Sequence, residues 1–363
     1  PTQDFNRILS GTGMQNCAIS GLAGSSLSLA AAAHFAELSD PGVHLFIFEE
    51  LDEAGYFFND LQQLFKGISS LDPEKQIQFF PSSFKRSIRY EQTDPDHLIQ
   101  RTAVLSSLSG KKTEEHSLNV IVSTAEAIAE KVILTQALDQ KTLILKKGEK
   151  IDLSFIKELL FEFGFEKTDF VYEPGQFAIR GSIVDIFSFS DNKPYRMDLF
   201  DDEVDSLRCF NLGTQLSEQY FDEIEIVPDI HHTDDQKELG TFFLHLPKNT
   251  KVWVKEIDRL IIRINEQNAA DAGHSRTIDT HEFMQEIRNF PMIFVGNDAK
   301  KDITNLRNHI DFGMEPQTAY NKKFDIFAKH LDDLDRIGVR RIICSENPKQ
   351  AERLRNILNN YPQ

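Results

Sequence analysis

The stretch NCAISGLAGSSLSLAAAAHFAEL, residues 16–38, decides the fold class of the larger part of this chain. A short apolar run is followed by a turn with two glycines, and then by an alanine-rich segment that begins with serines. This pattern predicts a strand, a tight turn and a helix, with Ser25 or Ser26 as the N-cap residue. In nucleotide-binding α/β domains, a phosphate-binding loop occupies this place.

The turn lacks the residues that such a loop needs. A P-loop reads GxxxxGK[ST], in which the lysine neutralises phosphate oxygens and the hydroxyl binds magnesium. Gly21 takes the place of the first glycine and Ser26 that of the second, with Gly24 between them. Leu27 stands where the lysine should be, while Ser28 retains the hydroxyl. We therefore predict a degenerate nucleotide loop, and the simplest interpretation is a strand-to-helix turn with a serine cap.

The acidic strand end that would hold a metal in such a site is also missing. The best candidate is KVWVKEIDRL, residues 251–260, where Lys255 and Glu256 stand in place of the usual Asp-Glu pair. We therefore expect no catalytic residue and no cofactor in this chain. The alternative is a nucleotide-dependent, DNA-binding ATPase or helicase fragment, which would need the lysine that Leu27 replaces.

Strand and helix patterns alternate at both ends of the chain. They run from residue 16 to residue 138 and return after Pro228. In the returning part, we expect a strand in each of three stretches, KVWVKEIDRLIIRINE (251–266), PMIFVGND (291–298) and RRIICSENPKQAERLRNIL (340–358). Alternation of this kind indicates a parallel sheet with helices on both faces.

The middle of the chain has a different character. DLSFIKELLFEFGF (152–165) predicts a helix capped by Asp152 or Ser154. Three strands joined by short turns are expected to form an antiparallel meander, in GQFAIRGSIVDIFSF (175–189), PYRMDLF (194–200) and VDSLRCFN (204–211). One helix with such a meander indicates a small α+β domain.

These patterns together predict the domain organisation. A length of 363 residues suggests two or three domains. We predict an α/β fold: a degenerate P-loop, helicase-like domain with a parallel sheet, built from residues 1–141 and 229–363. A small α+β domain, residues 142–228, is inserted between the two segments.

Composition and charge exclude several classes of protein. The net charge is -17, whereas a protein whose main task is to grip nucleic acid shows a basic face. The three cysteines, Cys17, Cys209 and Cys344, form no CxxC pair, so we expect neither a metal site nor a redox site. The sequence has no apolar run long enough for a membrane span and no signal-peptide pattern. We therefore expect a cytoplasmic protein that does not contact membranes.

One strand of the small domain carries an aromatic side chain between charged ones. Because side chains alternate along a strand, Arg196, Asp198 and Phe200 share a face of PYRMDLF, opposite an apolar face. We expect replacement of Arg196 on this polar face to disturb the core little. Arg180, on the preceding strand, can reach the same surface. Two arginines around an exposed aromatic residue are typical of a protein-binding surface that recognises carboxylates.

The sequence also leaves a purely structural alternative open. Phe200 would then pack under the next turn, and the arginines would pair with Asp201, Asp202 or Glu203. The strand register does not follow from the sequence, because Gly181 is compatible with a β-bulge.

Two stretches of the middle domain resemble a known family. EPGQFAIRGSIVDIFSF (173–189) and PYRMDLFDDEVDSLRCFN (194–211) are similar to the small domain shared by UvrB and the bacterial transcription-repair coupling factors. Three further stretches resemble the coupling factors specifically: PSSFKRSIRYEQTDPDHLIQRTAVLSSL (81–108), LNVIVSTAEAI (118–128) and PQTAYNKKFDIFAKHL (316–331). The resemblance covers nearly the whole chain and identifies it with the N-terminal, UvrB-like module of that family.

The resemblance implies a function. In this family the module is a degenerate relative of a helicase domain, and its small domain binds UvrA through residues that match Arg180, Arg196 and Phe200. RNA polymerase and DNA are bound by regions that would lie beyond Gln363, where the ATP-dependent translocase motor would also lie. The family's C-terminal domain would mask the UvrA site. The resemblance thus implies a non-catalytic recruitment module of transcription-coupled nucleotide excision repair.

One feature of UvrB is missing from the resemblance. UvrB grips damaged DNA with a long, tyrosine-rich hairpin. Between Phe80 and His97 this chain has only a short linker, in which Tyr90 is the single tyrosine. We therefore do not expect the chain to sense damage directly.

Overall fold

The computed structural model describes most of the chain in eight segments. They are residues 16–38, 42–83, 95–109, 117–229, 236–270, 276–296, 308–345 and 347–361. The linker with Tyr90 lies outside these described residues. The chain divides into two compact units, residues 1–314 and 315–363.

A seven-stranded sheet forms the centre of the first unit. Its strands are, in spatial order, β17 (Asn308–Asp311), β1 (Cys17–Ser20), β16 (Met292–Val295), β15 (Lys251–Lys255), β2 (Val43–Phe48), β4 (Asn119–Thr124) and β3 (Ile77–Phe80). All neighbouring pairs are parallel. Since β1 lies between β16 and β17, which follow the small domain in the chain, the sheet combines strands from both sides of that domain.

Helices cover both faces of this parallel sheet. The described helices of the unit are α1 (Ser26–Glu37), α2 (Leu51–Lys66), α3 (Pro73–Gln76), α4 (Pro95–Leu108), α5 (Ala125–Ala129), α6 (Thr135–Lys141), α7 (Leu153–Glu162), α8 (Ile257–Ala270) and α9 (Thr280–Ile287). One face of the sheet packs against α1 and α2, and the other against helices that include α4, α5, α8 and α9. Strands covered on both faces need continuous apolar runs, and all six residues of β2 are buried. The α/β prediction is confirmed.

The small domain contains a six-stranded sheet. In spatial order its strands are β12 (Ser217–Phe221), β11 (Glu203–Phe210), β10 (Tyr195–Phe200), β9 (Ile183–Ile186), β8 (Gln176–Arg180) and β7 (Glu166–Lys167). All pairs are antiparallel except β7 with β8. Helix α7 packs on one face, and its N-cap residue Asp152 accepts a hydrogen bond from the N–H of Ser154, as predicted. We call the face of this sheet opposite the α7 core the outer face.

The stretch 175–189 forms two strands, β8 and β9, and the prediction of a single strand is wrong. Gly181 has φ +63° and lies in the tight turn between them, so it marks a hairpin rather than a β-bulge. As a consequence, β9 separates the strand of Arg180 from the strand of Arg196.

A two-stranded ribbon joins the small domain to the rest of the first unit. The incoming strand β6 (Leu143–Lys146) pairs antiparallel with the outgoing strand β13 (Glu223–Ile226). Leu143 lies opposite Ile226, close to both predicted domain boundaries. Two further short strands pair with each other in antiparallel fashion: β5 (Val132–Ile133) and β14 (Leu239–Gly240). In the chain, β5 follows the sheet strand β4, and β14 follows the ribbon. The exact boundaries stay a prediction.

The second unit consists of helices α10 (Phe324–Arg336) and α11 (Pro348–Leu358). The strand expected at residues 340–344 is absent from the described structure of this unit, because these residues adopt no regular conformation. A strand needs a neighbour for its backbone hydrogen bonds, and the described part of the unit offers none. No helix in the described segments of either unit is long and apolar enough to cross a membrane.

Candidate functional site

The loop after β1 forms the strand-to-helix turn expected at the degenerate nucleotide site. Gly21 and Gly24 have φ values of +66° and +56°, in the left-handed region that favours glycine. The hydroxyl of Ser26 accepts a hydrogen bond from the N–H of Ala23 at 2.8 Å. Ser25 occupies the N-cap position without a side-chain cap bond. The Ser26 hydroxyl therefore satisfies one of the backbone N–H groups of this turn.

An acidic side chain lies against this loop. A Cβ atom on Gly21 would lie 2.3 Å from Oδ1 of Asp311 and 2.6 Å from the backbone nitrogen of Gly313. The N–H of Met314 donates to the carbonyl of Gly21 at 2.8 Å. Only glycine fits here, because the chain after β17 approaches so closely. A neighbouring carboxylate also disfavours a bound phosphate by charge repulsion.

The positions that would bind a nucleotide and its metal have other contacts. The side chain of Leu27 is 7% exposed and packs in the core under α1. The hydroxyl of Ser28 donates to Asp60 at 3.1 Å. At the end of β15, Lys255 forms an ion pair with Glu53 of α2, and burial lowers the pKa of Lys255.

Within the described residues, no group of three His, Cys, Asp or Glu side chains is arranged to hold a metal ion.

The outer face of the small domain carries Arg196, Asp198 and Phe200, the three residues of β10 that strand alternation places on one side. Met197 and Leu199 of β10 are buried in the core beneath α7. Arg196 and Phe200 point to the opposite side, and the side chain of Phe200 is 78% exposed. The alternative in which Phe200 packs under the next turn is therefore wrong.

Both arginines bind one buried carboxylate of the strand between them. Asp185, on β9, is 1% exposed. Nε of Arg196 donates to its Oδ1 at 2.7 Å, and Nη2 of Arg196 donates to its Oδ2 at 2.9 Å. Nη2 of Arg180 donates to the same Oδ2. The pairing expected in the structural alternative, with residues 201–203, is wrong for both arginines.

Arg180 has two further contacts at the edge of this arrangement. Its Nη1 donates to the backbone carbonyl of Asp169 at 2.8 Å. Its guanidinium lies over the ring of Phe170, 4.7 Å from the centroid. With 34% of its side chain exposed, Arg180 remains accessible from solvent.

Arg196 is more deeply packed than its place on the polar face suggests. Its guanidinium lies 4.2 Å from the centroid of the Phe210 ring, and its Nη2 donates to Oε1 of Gln215 at 3.1 Å. Only 13% of the side chain is exposed. The hydrogen bond to Asp185 is the main cause that raises the pKa of Arg196. The expectation that Arg196 can be replaced at little cost is therefore wrong.

A second ion pair extends the outer face toward the sheet edge. Arg208 of β11 lies opposite Arg196 and pairs with Asp198 of β10. Tyr220, opposite Arg208 on the edge strand β12, is exposed. One row of the outer face thus runs from Asp185 through Arg196 and Arg208 to Tyr220.

Asp185 is not among the predicted site residues, although the sequence contains a signal for its role. Asp185 is the only charged residue in the apolar run IVDIF, residues 183–187. A buried carboxylate needs a cationic or hydrogen-bonding partner. Such an acid in a buried strand indicates a partner on a neighbouring strand, but it does not indicate which one.

The segment that forms this sheet matches a known family. Residues 143–232 match the model of the UvrB interaction domain. Asp185, Arg196 and Phe200 all lie within this matched segment, and the match confirms the resemblance drawn from residues 173–189 and 194–211.

Bacterial proteins named transcription-repair-coupling factor are similar to a larger part of the chain. The protein of Bacillus subtilis is 28% identical over 229 residues, which are 62% of this chain and 18% of the relative. That of Escherichia coli is 29% identical over 123 residues, 34% of this chain and 11% of the relative. That of Haemophilus influenzae is 32% identical over 107 residues, 30% and 9% respectively. The chain spans less than one fifth of the length of these relatives.

Proposed function

We propose that this chain is a recruitment module of transcription-coupled nucleotide excision repair that binds UvrA through the outer face of its UvrB interaction domain. The observation that carries the proposal is the exposed ring of Phe200 on the same face as Arg180 and Arg196, which meet at Asp185. The names of the relatives supply the process, and the family match supplies the interacting domain.

The chemistry of this face suits a partner with acidic and apolar groups. Two guanidinium groups share one carboxylate, so the cluster of Arg180, Arg196 and Asp185 keeps one net positive charge. Arginine suits carboxylates because its planar fork makes paired hydrogen bonds. An exposed aromatic ring such as Phe200 adds an apolar anchor of the kind that dominates interface energies. We infer that UvrA offers carboxylates around an apolar pocket.

We further propose that the chain hydrolyses no nucleotide. Leu27 is buried in the place of the P-loop lysine, and Lys255 pairs with Glu53 in the place of a metal-binding acid. Restoring nucleotide binding would require a cation at the loop and an acid at the strand end. The charge of the chain, -17, also opposes strong binding of DNA by the chain itself.

Other partners belong to the longer proteins that this chain resembles. We propose that RNA polymerase and DNA are bound by parts of such a protein beyond the matched region, together with its translocase activity. We also propose that a C-terminal domain masks the UvrA site until polymerase is engaged, and that the protein works in the cytoplasm.

One experiment tests the proposed function directly. Binding of the purified chain to UvrA, to ATP with magnesium and to duplex DNA is measured side by side. We expect saturable binding to UvrA alone. Saturable binding to ATP without binding to UvrA would contradict the proposal and favour a nucleotide-dependent enzyme.

A further inference from the structure

We propose that Asp185 is a positioning residue, which fixes the guanidinium groups of Arg180 and Arg196 in one arrangement for recognition of the partner. The inference rests on the proposed function, because it takes UvrA as that partner. Asp185 does not touch the partner itself and acts on it only by holding the two arginines.

The strand order places Asp185 between the two arginines. Across the β9–β10 pair, Asp185 lies directly opposite Arg196, and across the β8–β9 pair it lies opposite Ala178. Arg180 is two residues beyond Ala178 on the same face of β8, so its long side chain reaches back along the strand. One carboxylate therefore bonds to side chains from both neighbouring strands.

Each oxygen of this carboxylate has a distinct role. Oδ1 accepts only from Nε of Arg196 among the described contacts, at 2.7 Å. Oδ2 accepts from Nη2 of both arginines. The fork of Arg196 is thereby held in the plane of the carboxylate, and Arg180 is drawn toward it. Since Asp185 is 1% exposed, water does not compete for these bonds.

Fixing the arginines lowers the entropic cost of binding a partner. A free arginine side chain samples many rotamers, and immobilising such a side chain at an interface costs conformational entropy. Here the folded domain has already ordered both side chains. The N–H groups of the two arginines that bond to none of Asp185, Asp169 and Gln215 are left to bind carboxylates of the partner, and the cluster of Arg180, Arg196 and Asp185 keeps a positive charge.

The small domain offers a control away from the outer face. Glu223 on β13 pairs with Lys146 on β6, in the two-stranded ribbon. Glu223→Gln removes one carboxylate charge from the same domain and leaves the contacts of Arg180 and Arg196 in place.

The test compares UvrA binding by the unaltered 363-residue chain, Asp185→Asn and Glu223→Gln, at a temperature where all three are folded. We expect Asp185→Asn to weaken binding about tenfold to a hundredfold, the effect of losing a charged hydrogen-bond partner. Glu223→Gln should stay within about twofold of the unaltered chain. Full UvrA binding by Asp185→Asn overturns the inference alone, whereas no binding by the unaltered chain overturns the proposed function and the inference with it.

A double-mutant cycle separates positioning from general stability. If Asp185 acts through Arg196, the effect of Asp185→Asn on UvrA binding should shrink by more than about twofold in an Arg196→Ala background. A residue that only stabilises the fold would have the same effect in both backgrounds. Additive effects therefore overturn the inference.

A measurement on the unaltered chain covers the case in which Asp185→Asn does not fold. The Nε–H of Arg196 should exchange with solvent much more slowly than that of the exposed Arg353, as seen in NMR spectra of the arginine side chains. Equal exchange rates would show that Arg196 is not held and would overturn the inference.

Discussion

The guanidinium of Arg196 lies 4.2 Å from the centroid of the fully buried ring of Phe210 and bonds through two nitrogens to the carboxylate of Asp185. A cation over an aromatic face, with a carboxylate beside it, is stabilised by both neighbours. Arg196 therefore contributes to the packing of the small domain as well as to the candidate binding surface. A substitution at this position changes both properties.

We expect Arg196→Glu to lower the free energy of unfolding by about 3–5 kcal/mol, because it leaves the buried Asp185 facing a like charge. Urea denaturation of the chain measures this change. Lys193→Ala is the control, since Lys193 pairs with Glu218 in an exposed ion pair. That substitution should cost no more than about 0.5 kcal/mol. Equal stability of Arg196→Glu and the unaltered chain would contradict the buried pairing.

Phe200→Ala should separate binding from folding. Because the ring is 78% exposed, its removal should leave the melting temperature unchanged. Binding to UvrA should weaken by about 1–2 kcal/mol or more, as for the loss of an apolar anchor at an interface. Tyr56→Ala serves as the control, because Tyr56 is an equally exposed aromatic residue on α2. UvrA binding that responds equally to both substitutions would argue against a specific role for Phe200.

ATP with magnesium should not stabilise the chain. A ligand at a hundredfold excess over its Kd raises stability by about 2.7 kcal/mol, which a thermal shift detects readily. The buried Leu27 and the carboxylate of Asp311 beside Gly21 supply no cation for a triphosphate within the described part of the loop. A saturable rise in melting temperature at millimolar ATP would refute the degenerate-loop interpretation.

The parallel-sheet domain should fold without the small domain. Leu143 and Ile226 lie opposite each other in the β6–β13 ribbon, about one strand spacing or roughly 5 Å apart, so the chain enters and leaves the excised segment side by side. Replacing residues 142–228 with a short glycine-serine linker should leave a chain that melts cooperatively. If that chain shows no cooperative melt while residues 1–141 alone do, the two-segment domain prediction fails.

His34 should make the chain less stable in mild acid. It is buried against Phe35 and His44, and burial, with a smaller contribution from the charge of Lys251, lowers its pKa from 6.5 to about 4. Because the unfolded chain binds the proton first, the stabilisation is present above about pH 6.5 and is lost as the pH falls toward 4.

The size of this effect can be measured by denaturation at two pH values. Between pH 7 and pH 5, His34 should account for a loss of about 2 kcal/mol. His34→Gln should reduce the pH dependence by that amount. An unchanged pH dependence in His34→Gln would show that His34 does not titrate as burial predicts.

The sequence by itself determined the class of the fold and many of its local elements, although not the hairpin within 175–189 or the irregular conformation of 340–344. The continuous apolar run VHLFIF gave a strand with both faces buried, and the alternation in YRMDLF divided β10 into a core face and an outer face. The missing lysine at Leu27 indicated the degenerate loop. These features can be predicted from the sequence because burial and side-chain direction repeat with the period of a helix or a strand.

Only the tertiary structure decided which residues meet. The turn at Gly181 creates a separate strand β9, and this strand places Asp185 between Arg180 and Arg196. Strand order and register depend on contacts between distant parts of the chain, so the periodicity of one strand cannot specify the neighbour of its charged side chains. For the same reason, the sequence assigned Arg196 to the polar face, while the packing against Phe210 buried it.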